Sequence, residues 1–413
     1  MAADTMMAGF PDSKDNLIWD WAAIAKAVPP GTYKLAQDIE DDQEALHCMT
    51  GWALSQYSFD RYQQNEEENQ NDRILVWPTG SDKIQAQAVS AVGGISLVRN
   101  LINTPANHMG PEELAEAAIE LAALHDASCT VITGEELLEA DYPAIHAVGR
   151  ASDRDPRLID LVWGDEDAPK LTLVGKGVVF DSGGLDLKPA GGMKLMKKDM
   201  GGSAQALGLA SMIMDAGLPV RLRVLIPAVE NAVSGNAMRP LDVVDTRKGL
   251  TIEIGNTDAE GRVILADALF EAATEQPELI IDFATLTGAA RVALGADLPA
   301  LFCNSNEVAE NLLACATTVC DPLWRMPLWK GYNKQVDGKV ADLNNAPEGG
   351  MGGAITAALF LERFVMDEDG NIPDWMHIDL MAWNLSNRPG RPEGGEAMTI
   401  RALFAYLNER YDK

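Results

Sequence analysis

The stretch Asn256-Thr-Asp-Ala-Glu-Gly-Arg262, together with Val174-Gly-Lys-Gly-Val-Val-Phe-Asp-Ser-Gly-Gly184 upstream, decides how this chain is interpreted. The two segments place a lysine, several carboxylates and an arginine in glycine-lined turns that follow predicted strands. Asp258 and Glu260 stand two residues apart, so in extended chain their side chains project to one face and could bind the same cation. This composition is typical of a two-metal hydrolase site.

Two further carboxylates, Asp181 and Asp199, come from separate segments. Four crowded anions repel one another unless strongly positive groups lie between them, and two divalent ions would meet that need. Lys176 stands between glycines and precedes the apolar residues 178–180. We expect its amine to lie in apolar surroundings, where the pKa falls and the neutral amine can ligate a metal. Taken alone, each residue is more simply a solvated acid or a structural salt bridge, and only the set favours a metal site.

On these residues the sequence resembles the leucyl aminopeptidase (cytosol aminopeptidase) family of dinuclear metallopeptidases. The family's signature heptapeptide is Asn-Thr-Asp-Ala-Glu-Gly-Arg, and residues 256–262 match it throughout. The resemblance covers roughly residues 100–413. The other matching segments are residues 103–107, 174–184, 196–202, 284–288, 341–345 and 353–356.

The resemblance implies a role for each motif residue. Lys176, Asp181, Asp199 and Glu260 would hold one divalent ion, and Asp181, Asp258 and Glu260 the other. Lys188 would polarise the scissile carbonyl, and Arg262 would hold a bicarbonate that acts as general base. Zinc or manganese is the expected metal, although mixed oxygen and amine ligands also admit magnesium or cobalt. General chemistry supports these roles, because a water shared by two divalent ions becomes a nucleophile near neutral pH and a charged lysine stabilises a developing oxyanion.

The same resemblance implies the substrate, a peptide with a free amino terminus. Met196 would line the pocket for the first side chain together with Thr285, Leu286 and Gly288 of the loop 284–288. A methionine can repack around several apolar groups, although ordinary core filling explains Met196 equally well. The expected products are N-terminal amino acids, with a leucine-like preference. Because the free amine would ligate a metal, an acylated amino terminus should not react.

Strands and helices alternate after about residue 106, which predicts an α/β fold with a central mixed β-sheet flanked by helices. Strands are predicted at residues 171–174, 221–226 and 279–284, and helices at 203–215 and 262–274. Ligands of such sheets collect beyond the carboxyl ends of the strands. The predicted organisation is a small N-terminal α/β domain at residues 1–80, a linker helix at 81–102 and a larger C-terminal catalytic domain at 103–413.

The family plan implies a homohexamer. Two regions depart from the family, since the N-terminal domain is shorter than usual and residues 383–391 form a compact segment near the expected active site.

The net charge, the apolar stretches and the cysteines of the chain limit the kinds of partner and location that we expect. The formal net charge of -29 disfavours binding to DNA, RNA or an anionic membrane, because those contacts depend on clustered lysine and arginine. Residues 1–15 lack the pattern of a signal peptide, and charges interrupt the apolar stretch 279–302, so no membrane span is expected. Five cysteines without a CxxC pair indicate reduced thiols, and a cytoplasmic location is the expectation.

Three alternatives stay open at this stage. The same two ions could serve a phosphoesterase, which a phosphate-ester assay would separate from a peptidase. A non-catalytic oligomeric scaffold could keep the fold, although such a chain would be expected to have lost a metal ligand. Sequence-specific DNA binding occurs in parts of the family, but it conflicts with the net charge.

Overall fold

The computed structural model describes residues 17–37, 39–64, 72–77, 82–347, 349–367 and 370–412. The expectation about a signal peptide in residues 1–15 lies outside this part of the chain. At the N-terminal end, helices α1 (Leu17–Ala27) and α2 (Asp42–Leu54) pack against each other beside two parallel strands, β1 (Gly31–Lys34) and β2 (Arg73–Val76). The indole N–H of Trp52 donates to the carbonyl oxygen of Arg73 at 2.6 Å, which ties α2 to β2.

Helix α3 (Asp82–Asn103) follows, over the residues for which a helix is predicted. Its buried apolar positions recur every three or four residues, as expected for one face of a helix. These positions are Ile84, Ala88, Ala91, Ile95 and Val98. The division of the chain into domains at residues 80 and 102 stays a prediction.

The rest of the chain alternates strands and helices. In order they are a 3-10 helix (Ala106–His108), α4 (Pro111–Leu124), β3 (Ser128–Thr133), α5 (Glu136–Glu139), α6 (Pro143–Gly149), β4 (Arg157–Trp163), β5 (Lys170–Gly175), β6 (Gly177–Asp181), α7 (Ala190–Met193), a 3-10 helix (Met196–Met200), α8 (Gly201–Ala216), β7 (Arg221–Asn231), β8 (Val243–Asp245) and β9 (Thr251–Glu253). There follow α9 (Glu260–Thr274), β10 (Leu279–Ala284), α10 (Gly288–Leu294), β11 (Ala300–Cys303), α11 (Asn306–Thr318), β12 (Trp324–Arg325), a 3-10 helix (Lys330–Gln335), β13 (Leu343–Asn344), α12 (Gly353–Glu362), β14 (Asp374–Asp379), β15 (Trp383–Asn384), β16 (Gly394–Gly395) and α13 (Ile400–Tyr411). The predicted strands and helices of this part are all present, and β7 continues to Asn231 instead of ending at residue 226.

Nine strands form the central sheet, in the order β12-β11-β14-β10-β5-β7-β4-β3, with β6 also pairing with β7. Strands β14, β10, β5 and β7 are parallel neighbours, whereas β4 and β3 are antiparallel additions at one edge. Apolar side chains of α3, α4, α8 and α13 cover one face, and those of α6, α9 and α12 cover the other. The predicted fold class is confirmed. Among the helices described, none is long and apolar enough to cross a membrane.

The path from β5 to β6 determines where a ligand can bind. Strand β5 pairs with both β10 and β7, but β6 pairs with β7 alone. The change occurs at Lys176, whose N–H donates to the carbonyl oxygen of Phe283 at 2.9 Å. Beyond this point the chain diverges from β10, so a cavity forms at the carboxyl ends of the parallel strands.

Helix α8 packs closely behind this divergence. A Cβ atom at Gly202 would lie 2.1 Å from the carbonyl oxygen of Phe283 and 2.9 Å from the N atom of Lys176. Both are main-chain atoms, so neither contact can be relieved by rotating a side chain.

We predict that Gly202→Ala lowers the free energy of unfolding by about 1–3 kcal/mol, because the main chain of β10 must move to admit the methyl group. Denaturant titration measures this change. Gly93→Ala is the control, since Gly93 is exposed in the middle of α3 and its Cβ would meet nothing within 4 Å. The control is expected to stabilise the protein by roughly 0.5–1 kcal/mol. Equal effects of the two substitutions would contradict the close packing of α8 on β10.

Candidate active site

A cavity of about 370 Å³ lies beyond the carboxyl ends of β6 and β10. The eleven residues predicted for the site all line it, so the structure brings the whole set together. They are Lys176, Asp181, Lys188, Met196, Asp199, Asp258, Glu260, Arg262, Thr285, Leu286 and Gly288. Their roles as metal ligands, catalytic groups and substrate contacts stay predictions.

Lys176 enters the cavity from the end of β5 and is 3% exposed. Its Nζ lies 2.7 Å from Oδ2 of Asp199 and 2.9 Å from Oε1 of Glu260, and it donates to the carbonyl oxygen of Thr285 at 3.3 Å. Burial lowers the pKa of Lys176, but the carboxylates of Asp199, Glu260 and Asp181 together outweigh it and raise the pKa above its ordinary value. The sequence predicts a lowered pKa for Lys176, and this prediction is wrong because the neighbouring carboxylates of the protein raise the pKa.

A glycine at position 261 leaves room for the Lys176 side chain. A Cβ atom at Gly261 would lie 2.4 Å from Cε of Lys176 and 2.7 Å from its Nζ. Any larger residue would displace the amine from the two carboxylates that it contacts. This contact explains why the heptapeptide has glycine at its sixth position.

The heptapeptide forms a turn that leads directly into α9. Asp258 lies in the turn and Glu260 is the first residue of the helix, so the two side chains are not brought together by extended chain as assumed. The convergence itself is present, because Asp181, Asp258 and Glu260 each place a carboxylate oxygen within 4.8 Å of the others. These oxygens come from β6, a turn and a helix, which is an arrangement that could hold a metal ion.

Lys188 lies in the loop after β6. Its Nζ is 2.7 Å from Oδ2 of Asp181 and also contacts Oδ1 of Asp258. Gly183 and Gly184 start this loop with φ angles of 88° and 65°, a left-handed conformation that residues with a Cβ rarely adopt. Burial lowers the pKa of Lys188, but the neighbouring Asp181 carboxylate outweighs it, so the pKa lies above its ordinary value.

Acidic groups outnumber basic groups in this cluster, because four carboxylates meet two ammonium groups. Burial and the nearby Asp181 and Asp199 carboxylates together raise the pKa of Glu260 to about 8, against the opposing effect of the Lys176 ammonium. Oε2 of Glu260 is buried and has no hydrogen-bond partner among the described residues. A divalent cation would satisfy both the excess charge and the buried oxygen, and carboxylate and amine donors suit zinc or manganese.

Arg262 is the third residue of α9 and is buried. Its Nε and Nη1 have no hydrogen-bond partner among the described residues, and its guanidinium carbon lies 5.9 Å from the centre of the Phe360 ring. Burial lowers the pKa of Arg262 to about 10. A buried guanidinium with unused N–H groups is suited to binding an anion.

Comparison with known proteins agrees with this geometry. The catalytic domain of the cytosol aminopeptidase family matches residues 96–404, and the M17 aminopeptidase N-terminal domain matches residues 2–92. The chain belongs to the cytosol aminopeptidase family. The family resemblance predicted from the sequence is confirmed, and membership makes the chain a metal-dependent aminopeptidase.

Two curated relatives of this aminopeptidase are probable cytosol aminopeptidases. The one from Syntrophotalea carbinolica is 41% identical over 401 residues, which cover 94% of this chain and 78% of the relative. The one from Chlorobaculum tepidum is 41% identical over 407 residues, which cover 94% and 77%.

Solved structures give the same result. The cytosol aminopeptidase from Coxiella burnetii superposes with a TM-score of 0.90 at 51% identity, over 97% of this chain and 85% of that one. The bottromycin maturation enzyme BotP in complex with Mn gives a TM-score of 0.88 at 34% identity, over 96% and 88%.

The loop after β10 lines the aminopeptidase cavity, and hydrogen bonds to Asp199 and Asp379 hold it in place. Oγ1 of Thr285 donates to Oδ1 of Asp199 at 2.7 Å. The N–H groups of Leu286 and Thr287 donate to the Asp379 carboxylate at 3.1 Å, and Oγ1 of Thr287 donates to it at 2.6 Å. Met196 is 8% exposed and lies in the same 3-10 helix as Asp199, the segment to which Thr285 is bound. The loop therefore has a fixed main-chain position.

Two asparagines that sequence reasoning missed position the carboxylates of the aminopeptidase. Nδ2 of Asn231 donates to Oδ1 of Asp181 at 2.8 Å. Asn345 accepts from the N–H of Gly255 at 2.8 Å and donates to the carbonyl oxygen of Ala259 at 3.2 Å, so it spans the turn that carries the heptapeptide aspartate. Asn345 ends the family-like segment 341–345, which was a usable signal, whereas Asn231 at the end of β7 is found only in three dimensions.

Two cations that sequence reasoning also missed line the cavity. Lys198 is 3% exposed, and burial lowers its pKa to about 8. Arg291 lies in α10, and its Nη1 is 3.2 Å from the sulfur of Met381. Lys198 is adjacent to Asp199 in the matching segment 196–202, but the sequence does not tell which way its side chain points.

We predict that Asn345→Asp destabilises the aminopeptidase by about 2–4 kcal/mol. The substitution keeps the shape but replaces an amide donor with a second acceptor, which then faces the carbonyl oxygens of Asn256 and Ala259. Urea unfolding measures the effect. Asn107→Asp is the matched control, because Asn107 is exposed and its change should stay within roughly 0.5 kcal/mol. A difference below that size between the two variants would show that Asn345 does not hold the turn.

Proposed function

We propose that this chain releases N-terminal amino acids from peptides by hydrolysis with a water activated between two divalent metal ions. The observation that carries this proposal is the convergence of the Asp181, Asp258 and Glu260 carboxylate oxygens within 4.8 Å in one cavity. Lys176, Asp181, Asp199 and Glu260 are the proposed ligands of one ion, and Asp181, Asp258 and Glu260 those of the other. Zinc or manganese is proposed, and manganese is supported by the BotP structure in complex with Mn.

Divalent ions held by these residues would supply the nucleophile, because such ions lower the pKa of water towards neutrality. The reaction breaks the peptide C–N bond, joins the oxygen of water to the carbonyl carbon and gives the leaving amine a proton. The chain's own groups hold the ligands in place, since Asn231 fixes Asp181 and Thr285 fixes Asp199 by direct hydrogen bonds. These hydrogen bonds hold the two carboxylates in defined positions.

Lys188 is proposed to stabilise the negative charge that develops on the carbonyl oxygen. Its ammonium group lies beside Asp181 and Asp258, so it is already at the edge of the ligating oxygens. The raised pKa keeps it charged at neutral pH. Arg262 is the proposed site of a bicarbonate that would serve as general base, which its unused N–H groups support.

The proposed substrates are peptides with an unblocked amino terminus and a leucine-like first residue. Met196, Leu286 and Leu380 give the cavity an apolar part that suits such a side chain. A homohexamer and a cytoplasmic location are also proposed, both on the family resemblance and the names of the relatives. The net charge of -29 supports the absence of a nucleic-acid partner.

We predict that protein stripped with a chelator does not hydrolyse leucine p-nitroanilide and that added zinc or manganese restores the activity. N-acetyl-leucine p-nitroanilide should stay intact, because its amine is blocked. Asp258→Asn should abolish turnover while the circular dichroism spectrum is kept, since it removes a ligand charge at constant volume. Near-full turnover by that variant would refute the metal assignment. Release of phosphate from a phosphate ester, without release of nitroaniline, would favour a phosphoesterase instead.

We predict that Lys188→Ala lowers kcat by roughly two to three powers of ten and changes KM much less. The variant should bind zinc or manganese at least as tightly as the unaltered protein, because removing the ammonium leaves Asp181 and Asp258 more negative. Steady-state kinetics and calorimetric metal titration measure the two effects. A change confined to KM would reduce Lys188 to a positioning residue, and loss of metal binding would make it structural.

A further inference from the structure

We propose that Lys198 and Arg291 form an anion-binding end of the pocket for the first side chain, so that this aminopeptidase also releases glutamate and aspartate from peptide amino termini. The inference rests on the proposed function and adds an acidic class of first residue to the leucine-like one. Both cations line the same cavity as Met196 and Leu286, the residues expected to surround the first side chain.

The two cations approach the cavity from different elements. Lys198 comes from the 3-10 helix before α8 and is 3% exposed, so its stem and ammonium group are almost wholly removed from solvent. Arg291 comes from α10, and its Nη2 lies 3.5 Å from the position of a Cβ at Gly288. The pocket wall that carries Leu286 and Gly288 is therefore also the wall that carries a guanidinium.

Neither cation has a carboxylate partner among the described residues. The hydrogen bond of Arg291 goes to the sulfur of Met381, a weak acceptor, and Lys198 makes no ion pair.

The nearby carboxylates are already engaged. Asp199 is bound by Lys176 at 2.7 Å and by Oγ1 of Thr285 at 2.7 Å. Asp379 accepts from the main chain and hydroxyl of the loop after β10. Among the described residues, no carboxylate therefore forms an ion pair with Lys198 or Arg291, whereas the other two lysines that line the cavity, Lys176 and Lys188, are each paired with two carboxylates.

An anionic ligand group would complete this arrangement. A buried ammonium without a counterion is costly, and a carboxylate brought beside it recovers that free energy. A guanidinium adds a planar donor pair that matches the two carboxylate oxygens.

A glutamine side chain has the shape of glutamate without its charge. The ratio of glutamyl to glutaminyl hydrolysis therefore reports on the cations and not on the size of the pocket.

The experiment compares kcat/KM for the p-nitroanilides of glutamate, glutamine and leucine, using the metal-loaded full chain. We expect the unaltered enzyme to favour the glutamyl over the glutaminyl substrate by about tenfold or more. Lys198→Met should bring that ratio close to one, and Lys198→Arg should keep it well above one. Arg291→Met should lower the ratio in the same direction and serves as the second variant if Lys198→Met does not fold.

Lys194→Met is the matched control, because Lys194 precedes the same 3-10 helix, is exposed and does not line the cavity. It removes the same charge and should leave the ratio unchanged. Two outcomes would overturn the inference and leave the proposed function intact. In the first, the enzyme releases leucine but uses the glutamyl substrate no better than the glutaminyl one. In the second, neither Lys198→Met nor Arg291→Met lowers the ratio of glutamyl to glutaminyl hydrolysis. No release from any of the three substrates would overturn the proposed function and the inference with it.

Discussion

The rest of the site depends on one constraint, the crowding of four carboxylates, three of them buried, in one cavity. Buried charges of one sign are unstable without compensation, so every nearby feature either supplies a positive charge or holds an oxygen in place. Lys176 and Lys188 supply the charges from within the chain, each contacting two carboxylates. Amide groups of Asn231 and Asn345 fix the segments that carry the acids. These contacts accompany the convergence of the acids and oppose their mutual repulsion.

The sheet makes that convergence possible. Strand β5 lies between β10 and β7, and the chain can open a cavity only by leaving one of them. The chain diverges from β10 at Lys176. The Lys176 amine therefore lies where the carboxyl ends of β6 and β10 separate. Gly202 and Gly261 let helices α8 and α9 approach this point to distances that a side chain would forbid. The close contacts at these two glycines therefore belong both to the packing of the helices and to the surroundings of Lys176.

Much of this could be predicted from the sequence, because the predicted ligands lie in short motifs and the strands before them are continuous apolar runs. Strand β10 was predicted at its observed bounds, and the predicted site residues share one cavity. The errors have a common physical origin. Lys176 has apolar neighbours along the chain but carboxylates across space, so the direction of its pKa shift was wrong. Asp258 and Glu260 meet through a turn and a helix start, not through extended chain. The contact of Asn231 with Asp181 and the position of Lys198 in the cavity wall arise only in three dimensions, and no local pattern encodes them.

The charged groups that line the cavity also constrain how a peptide could bind in it. Carboxylate oxygens of Asp181, Asp258 and Glu260 converge at one place in it, and Lys198 and Arg291 line the same cavity from the 3-10 helix before α8 and from α10. In the binding mode that we propose, the positively charged amino terminus of a peptide is drawn to these carboxylates. Its first side chain then lies beside Lys198 and Arg291, where an apolar group gains only burial and a carboxylate gains burial and two counterions. On this proposal, the charges that orient the peptide also discriminate among first side chains, so orientation and specificity have one electrostatic origin.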